Sequence, residues 1–357
     1  SNTAIGFQTL KAQNAGADAY NVAVGHQAGL LVSTGVGNTL IGAQAGDALT
    51  TGENNVAIGR LALSTEDTGH DNVAVGYQAL TALNYNGSGY NTAVGRRAGY
   101  SVTTGIGNTI VGASTGDALT TGSYNTAFGQ NALSGEDAGS YNTALGYQAL
   151  NAMDAGADAY NVAVGHNAGV SVSTGTLNTL VGAHVGDALT TGGRNIAIGY
   201  QALSGEDTGG RNIAIGYRAL YVQDTGGNAY NVAIGYVAGE NVSTGVNNVI
   251  VGGFAGDSLT TGGYNVAVGY AALSTEDGHG RNVAIGQAAL TTLNVGADGN
   301  NVAIGYNCGY AMTTGIKNVI IGAEAGDALT TGNYNVAIGF QALSTEDTHG
   351  KNVAIGY

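Results

Sequence analysis

Residues 195–220, NIAIGYQALSGEDTGGRNIAIGYRAL, state a phrase at Asn195 and begin it again at Asn212. The core of the phrase is Asn, three apolar or Thr positions, then Gly, as in Asn195–Gly199 and Asn212–Gly216. The same unit opens at Asn2, Asn21, Asn38, Asn55 (closing at Gly59), Asn72 and Asn91, and continues to Asn352, 21 copies in all. The starting positions advance by 19, then by 17 three times, so the larger period is a 70-residue cassette of four rungs. The cassettes run 2–71, 72–141, 142–211, 212–281 and 282–351, and residues 352–357 start a sixth. A period of this kind decides the architecture before any local propensity does. The chain reads as one repeat array, residues 1–357, and as a piece of a longer fibre.

Composition agrees. There are 63 Gly, no Pro, no Trp and only 4 Phe among 357 residues, with Ala, Val, Ile, Thr and Asn carrying the rest. Thin stacked layers need small side chains, and a Gly at each corner where the backbone takes positive φ. An apolar share of 43% is too high for a disordered glycine-rich linker. No apolar run approaches membrane-spanning length, so no membrane insertion is expected of this segment. A formal charge of −14 with 10 Lys plus Arg argues against a nucleic-acid partner.

Within a rung the triplet is apolar on both faces: Ile196 and Ile198 point one way, Ala197 the other. In the third rung of each cassette the middle residue is larger, at Leu40, Ile110, Leu180, Ile250 and Ile320. A strand apolar on both faces is a strand covered on both faces. One cover is the chain's own second half-rung. The other exceeds what so short a rung can supply, and a second copy of the chain is the economical source. Eight residues after the Asn, the rungs of a cassette carry Leu or Gly, mostly in the order Leu, Gly, Gly, Leu, so like packs on like across cassette boundaries. The corner Asn side chains are placed to bridge rungs through amide hydrogen bonds. These readings predict an all-β parallel β-solenoid. At a rise of about 4.8 Å per rung its complete rungs would stack to roughly 100 Å.

The iterated NVAIG, NTAVG and NVAVG resemble the repeats of YadA-like heads in trimeric autotransporter adhesins. The longer phrase NTAFGQNALSGEDAGSYNTALGYQAL, residues 125–150, is similar to arrays in phage tail fibres and related surface-fibre proteins. The resemblance implies a left-handed β-roll assembled as a homotrimer. It also implies an extracellular place on a virion tail fibre or a cell-surface filament, with a host glycan or protein as partner. The rungs here are longer than those of the adhesin heads.

Residues that could carry chemistry recur with the cassette. Glu66 and Asp67, Glu136 and Asp137, Glu206 and Asp207, Glu276 and Asp277, and Glu346 and Asp347 sit in fourth-rung loops. They read as solvated loop faces, with calcium binding as the alternative. Asp47, Asp117, Asp187, Asp257 and Asp327 read as turn residues bonded to nearby backbone. His26 and His166 share a rung position, His70, His279 and His349 sit in fourth-rung loops and His184 stands alone; all six read as surface residues, and Cys308 as a small apolar residue in a slot that holds Ala at 28, 98, 168 and 238. Of 20 Tyr, eight precede the Asn and eight follow the Gly. Tyr124, Tyr141, Tyr147, Tyr200, Tyr217, Tyr264, Tyr270 and Tyr334 are the candidate glycan contacts, stacking on sugars, with edge-sealing as the plainer role. No cofactor and no catalysis are expected. The functional expectation is a structural fibre that extends or provides an attachment region. A single-chain solenoid with a glycan-, calcium- or ice-binding face is the alternative.

Overall fold

A computed structural model describes residues 1–357. It is all-β: 21 strands of three residues and no helix, hence none long and apolar enough to cross a membrane. The strands are the triplets between Asn and Gly. The chain divides into two units, Ser1–Leu177 and Asn178–Tyr357. Unit 1 holds β1 (Thr3–Ile5) to β10 (Val162–Val164), and unit 2 holds β11 (Thr179–Val181) to β21 (Val353–Ile355). Within each unit every strand pairs in parallel with the next in sequence. Thr39 lies opposite Val56 and Val56 opposite Val73 in unit 1, as Ile196 lies opposite Ile213 in unit 2. Each unit is therefore a parallel β-solenoid, as the repeat predicts.

The Gly corners are required by two constraints at once. Gly199 has φ +129°, and a Cβ there would stand 2.5 Å from the carbonyl oxygen of Gly216 in the next turn. No L side chain fits both the angle and the approach.

The Asn of each turn does more than the sequence predicts. The backbone N–H of Asn55 donates to Oδ1 of Asn38 at 2.9 Å, and that of Asn72 to Oδ1 of Asn55 at 3.0 Å. Nδ2 of Asn55 also donates to the carbonyl of Gly69 at 2.8 Å. Each such side chain is thus a brace that ties its own turn shut and hangs the next turn from it. Asn195 repeats the pattern on Gly209 and Asn212. The brace is incomplete where a longer, 19-residue spacing begins. Asn72 and Asn282 turn back to the carbonyls of His70 and Gly280, and Nδ2 of Asn142 and of Asn212 is buried without a partner.

The middle residue of the triplet points inward. Ala197 is fully buried, whereas Ile196 and Ile198 are 39% and 37% exposed. The interior is a column of small side chains, and the larger third-turn residue has a counterpart cut for it. A Cβ on Gly29 would lie 2.8 Å from Leu40 Cδ1, and one on Gly46 2.8 Å from Leu40 Cδ2. Gly99 and Gly239 stand in the same relation to Ile110 and Ile250. The Leu, Gly, Gly, Leu order is thus a volume match: where the strand brings a large residue inward, the opposite wall gives up its Leu. Where that wall keeps Leu, as at Leu63, Leu80, Leu203 and Leu220, the residue is held at positive φ near 50°. Such a conformation costs an L residue about 1–2 kcal/mol, offset here by complete burial of the side chain.

Candidate functional site

The acidic pairs divide between the inside and the outside of the coil. Glu66, Glu136, Glu206 and Glu276 are fully buried, while Asp137, Asp207 and Asp277 are exposed and Asp67 half-buried. The solvated-loop reading therefore holds for the aspartates and fails for these four glutamates. The reason is that the following turn lies over the loop and caps the carboxylate with its own backbone. Glu66 accepts from the N–H of Gly69 at 2.7 Å and of Tyr85 at 3.2 Å, and Glu136 from Gly139 at 2.6 Å and Ala155 at 3.4 Å. Glu206 accepts from the Gly209 N–H and the Gln223 amide, whose own carbonyl accepts from Asn231. Glu346 is only half-buried and keeps hydrogen bonds within its own loop, to Thr348 and His349.

Burial raises the carboxyl groups of Glu66, Glu136 and Glu206 above the ordinary range, against the lowering effect of their hydrogen bonds. The same cause carries Glu276 to about 7. Glu346 is shifted the other way, below its usual value, by the His349 N–H and ring.

Two of the fourth-rung histidines meet the glutamates of their own loops. His279 Nδ1 lies 3.8 Å from Glu276 Oε1, and His349 Nδ1 2.9 Å from Glu346 Oε1. With Asp277 and Asp347 they form two three-residue groups whose donor atoms fall within 4.8 Å of one another; Glu136, Asp137 and Asp154 form a third. The adjacent carboxylates do converge in these three loops, then. The hint available in sequence was the His three residues after the Glu in EDGH and EDTH. Three donors, one of them imidazole in two of the groups, fall short of the six to eight oxygens calcium takes.

The recurring aspartates of the third turn bond to nearby backbone, as the turn reading expects, Asp187 to its own and the Ala188 N–H and Asp257 to its own and the Ser258 N–H. One carboxylate oxygen of Asp47, Asp257 and Asp327 is buried without a hydrogen-bond partner. Asp187 has His184 at 3.4 Å. Burial raises Asp47, Asp117, Asp187 and Asp257. Beside Asp187 a shallow hollow of about 290 Å³ is lined by Gln201, Ser204, Gly205, Tyr221 and Val222; it gathers no catalytic set. Cys308 fills its Ala slot fully buried, with Sγ 3.1 Å from the Ile320 carbonyl and its thiol pushed up to about 12 by burial.

The tyrosines that flank the strands are exposed, as their positions predict, and several of their rings stack along the column. Tyr124, Tyr141 and Tyr160 lie nearly parallel with centroids 5.4 and 5.0 Å apart. Tyr200, Tyr217 and Tyr236 repeat this at 5.7 and 5.2 Å and continue edge-on to Phe254 and Tyr270. Tyr147 stacks on His166, while Arg281 lies over Tyr264 and Lys317 over Tyr334. A sugar stacking on a ring needs an open face. In the parallel stacks Tyr141 and Tyr217, with a ring on either side, turn both faces to their neighbours and leave edges and hydroxyl groups outward.

Comparison with known protein families and with curated proteins finds no match to this chain.

Proposed function

We propose that the chain is a structural shaft, three copies of which wind a left-handed β-roll that holds an attachment region away from a virion or cell surface. The observation that carries this reading is the outward face of the strands. In each unit the first and third strand residues stand on the outside of successive turns, half-buried or exposed, and carry Val, Ile, Thr, Leu or Phe, among them Phe128 at 56% and Leu145 at 39%. A patch of exposed apolar side chains that repeats turn after turn marks a site of interaction. A repeating face is best matched by an equally repeating partner, which a second copy of the chain is. The adhesin-like and tail-fibre-like repeats support three copies and an extracellular place. The unbroken run of short strands through 21 turns of the repeat, each paired with the next within its unit, supports a structural role.

Absolute mass of the full chain by light scattering after size exclusion tests the reading. A species of three times 35.3 kDa is the expected result. A monodisperse monomer would overturn the trimer and with it the β-roll shaft as proposed.

A further inference from the structure

The chain has 10 basic residues, and five of them stand in one column of unit 2, at the position immediately before the Asn: Arg194, Arg211, Arg281, Lys317 and Lys351. The remaining places of that column hold Tyr230, Tyr264, Tyr334, Asn247 and Asn300, so ten successive turns present a cation, a phenol or an amide and no carboxylate. All ten are exposed. The corresponding column of unit 1 holds no basic residue. In a molecule of net charge −14 this placement is not what an evenly charged solvated surface gives.

Backbone geometry makes the column straight. Each of these residues has φ between +51° and +66°. The N–H groups of seven of them bond to the neighbouring turn, as Arg211 N does to Gly193 O at 3.1 Å and Lys351 N to Asn333 O at 2.9 Å. Side chains therefore leave the coil one above another at a rise of about 4.8 Å, and Arg194 and Lys351 are about 43 Å apart. Within the column Arg211 bonds the Tyr230 hydroxyl, and Lys317 Nζ lies 3.3 Å from the Tyr334 hydroxyl. Arg281 pairs with Asp298 at 2.8 Å, the one carboxylate within ion-pair distance of the column. The side chains of Arg194 and Lys351 make no such contact.

We infer that this column is a binding track for a linear acidic polysaccharide. Cations fall one, four, two and two turns apart, or about 5, 19, 10 and 10 Å. That is too sparse for a nucleic acid, whose duplex carries one charge per about 1.7 Å of axis. It suits a sugar chain with a carboxylate or sulfate on alternate residues. Between the cations the track offers phenol hydroxyls and amide groups, which can both donate to and accept from sugar hydroxyls. Recognition here is by charge and hydrogen bonds, which needs no open aromatic face. The track is present on a single copy of the chain, so it does not depend on the number of copies in the shaft.

The test is retardation of the full chain in gels containing hyaluronan, with neutral dextran and single-stranded DNA as comparison matrices. Hyaluronan is expected to retard the chain and dextran not to, with the effect falling as salt rises. The variant R194Q/R211Q/K317Q/K351Q should bind hyaluronan about tenfold more weakly or worse, while R60Q/R96Q, altered in unit 1, binds as the parent does. If the fourfold variant does not fold, R194Q and K351Q, whose side chains pair with nothing in the chain, should separately weaken binding about twofold to threefold. Absence of retardation by hyaluronan, equal retardation by dextran, stronger retardation by DNA, or full binding by the column variants would each overturn the proposal. Mass and retardation are separate readouts, so failure of the trimer and failure of the track are distinguishable.

Discussion

Replacing Asn55 by Ala should destabilise the coil far more than the same change at Asn142, although both residues occupy the same place in the repeat and both are buried. Asn55 accepts the N–H of Asn72 and donates to the Gly69 carbonyl. Its removal strands one buried donor and one buried acceptor, each costing about 1–3 kcal/mol, or about 2–6 kcal/mol together. Asn142 accepts the N–H of Asn161 at 3.1 Å, but its Nδ2 is already buried without a partner. Truncation there strands one group and removes another that was stranded, leaving chiefly the lost packing, about 1 kcal/mol. Urea unfolding of the full chain, with hydrogen exchange of the Asn72 and Asn161 amides, reads both effects. Equal losses for the two variants, or a loss for Asn55→Ala smaller than that of a single ordinary hydrogen bond, would refute the view that the side-chain brace carries the stacking.

Four further outcomes follow from the same structure. Glu276 has its folded-state carboxyl raised from 4.5 to about 7, so its neutral form favours folding. The associated stability is complete below pH 4.5 and is lost as pH rises through 7, so the melting temperature should fall over that window and Glu276→Gln should flatten the fall. Gly29→Ala adds a Cβ 2.8 Å from Leu40 and 2.9 Å from Leu10, and should cost about 1–3 kcal/mol in a thermal melt. Adding Leu40→Ala should recover part of that loss, seen as a coupling of about 0.5–3 kcal/mol in a double-mutant cycle. Cys308 should react with a thiol reagent only on unfolding, and Cys308→Ala should change stability by less than about 1.5 kcal/mol, checked by timed labelling and by melting.

What the sequence makes legible here is whatever repeats within one turn. Asn55 and Gly59, Asn195 and Gly199, Asn212 and Gly216 mark a strand because the corner chemistry is local, and all three pairs flank one. The inward residue and the exposed tyrosines follow from alternation. What lies between turns is hidden. Glu66 and Asp67 are equally polar neighbours, and only the arrival of Tyr85 over the loop decides that one is inside. Likewise the ring planes of Tyr141 and Tyr160 differ by 1°, a consequence of stacking distance that residue identity does not encode. His349 meets Glu346 within a single loop, and the three-residue spacing of EDTH is the one trace of that contact in the sequence.

The volume match between Leu40 and its facing glycines has a consequence for how such a chain can change length. Removal of residues 72–141, a whole cassette, brings Asn142 onto the turn opened by Asn55, and every large inward residue still meets a glycine. Removal of the single rung 38–54 takes Leu40 and Gly46 away together and leaves Gly29 facing Ala57, with the space of an isobutyl group unfilled. Slippage during replication of so repetitive a gene would yield both products. Products that keep the second and third turns of a cassette together fold without that void, so Gly29, Leu40 and Gly46 are gained or lost as one block.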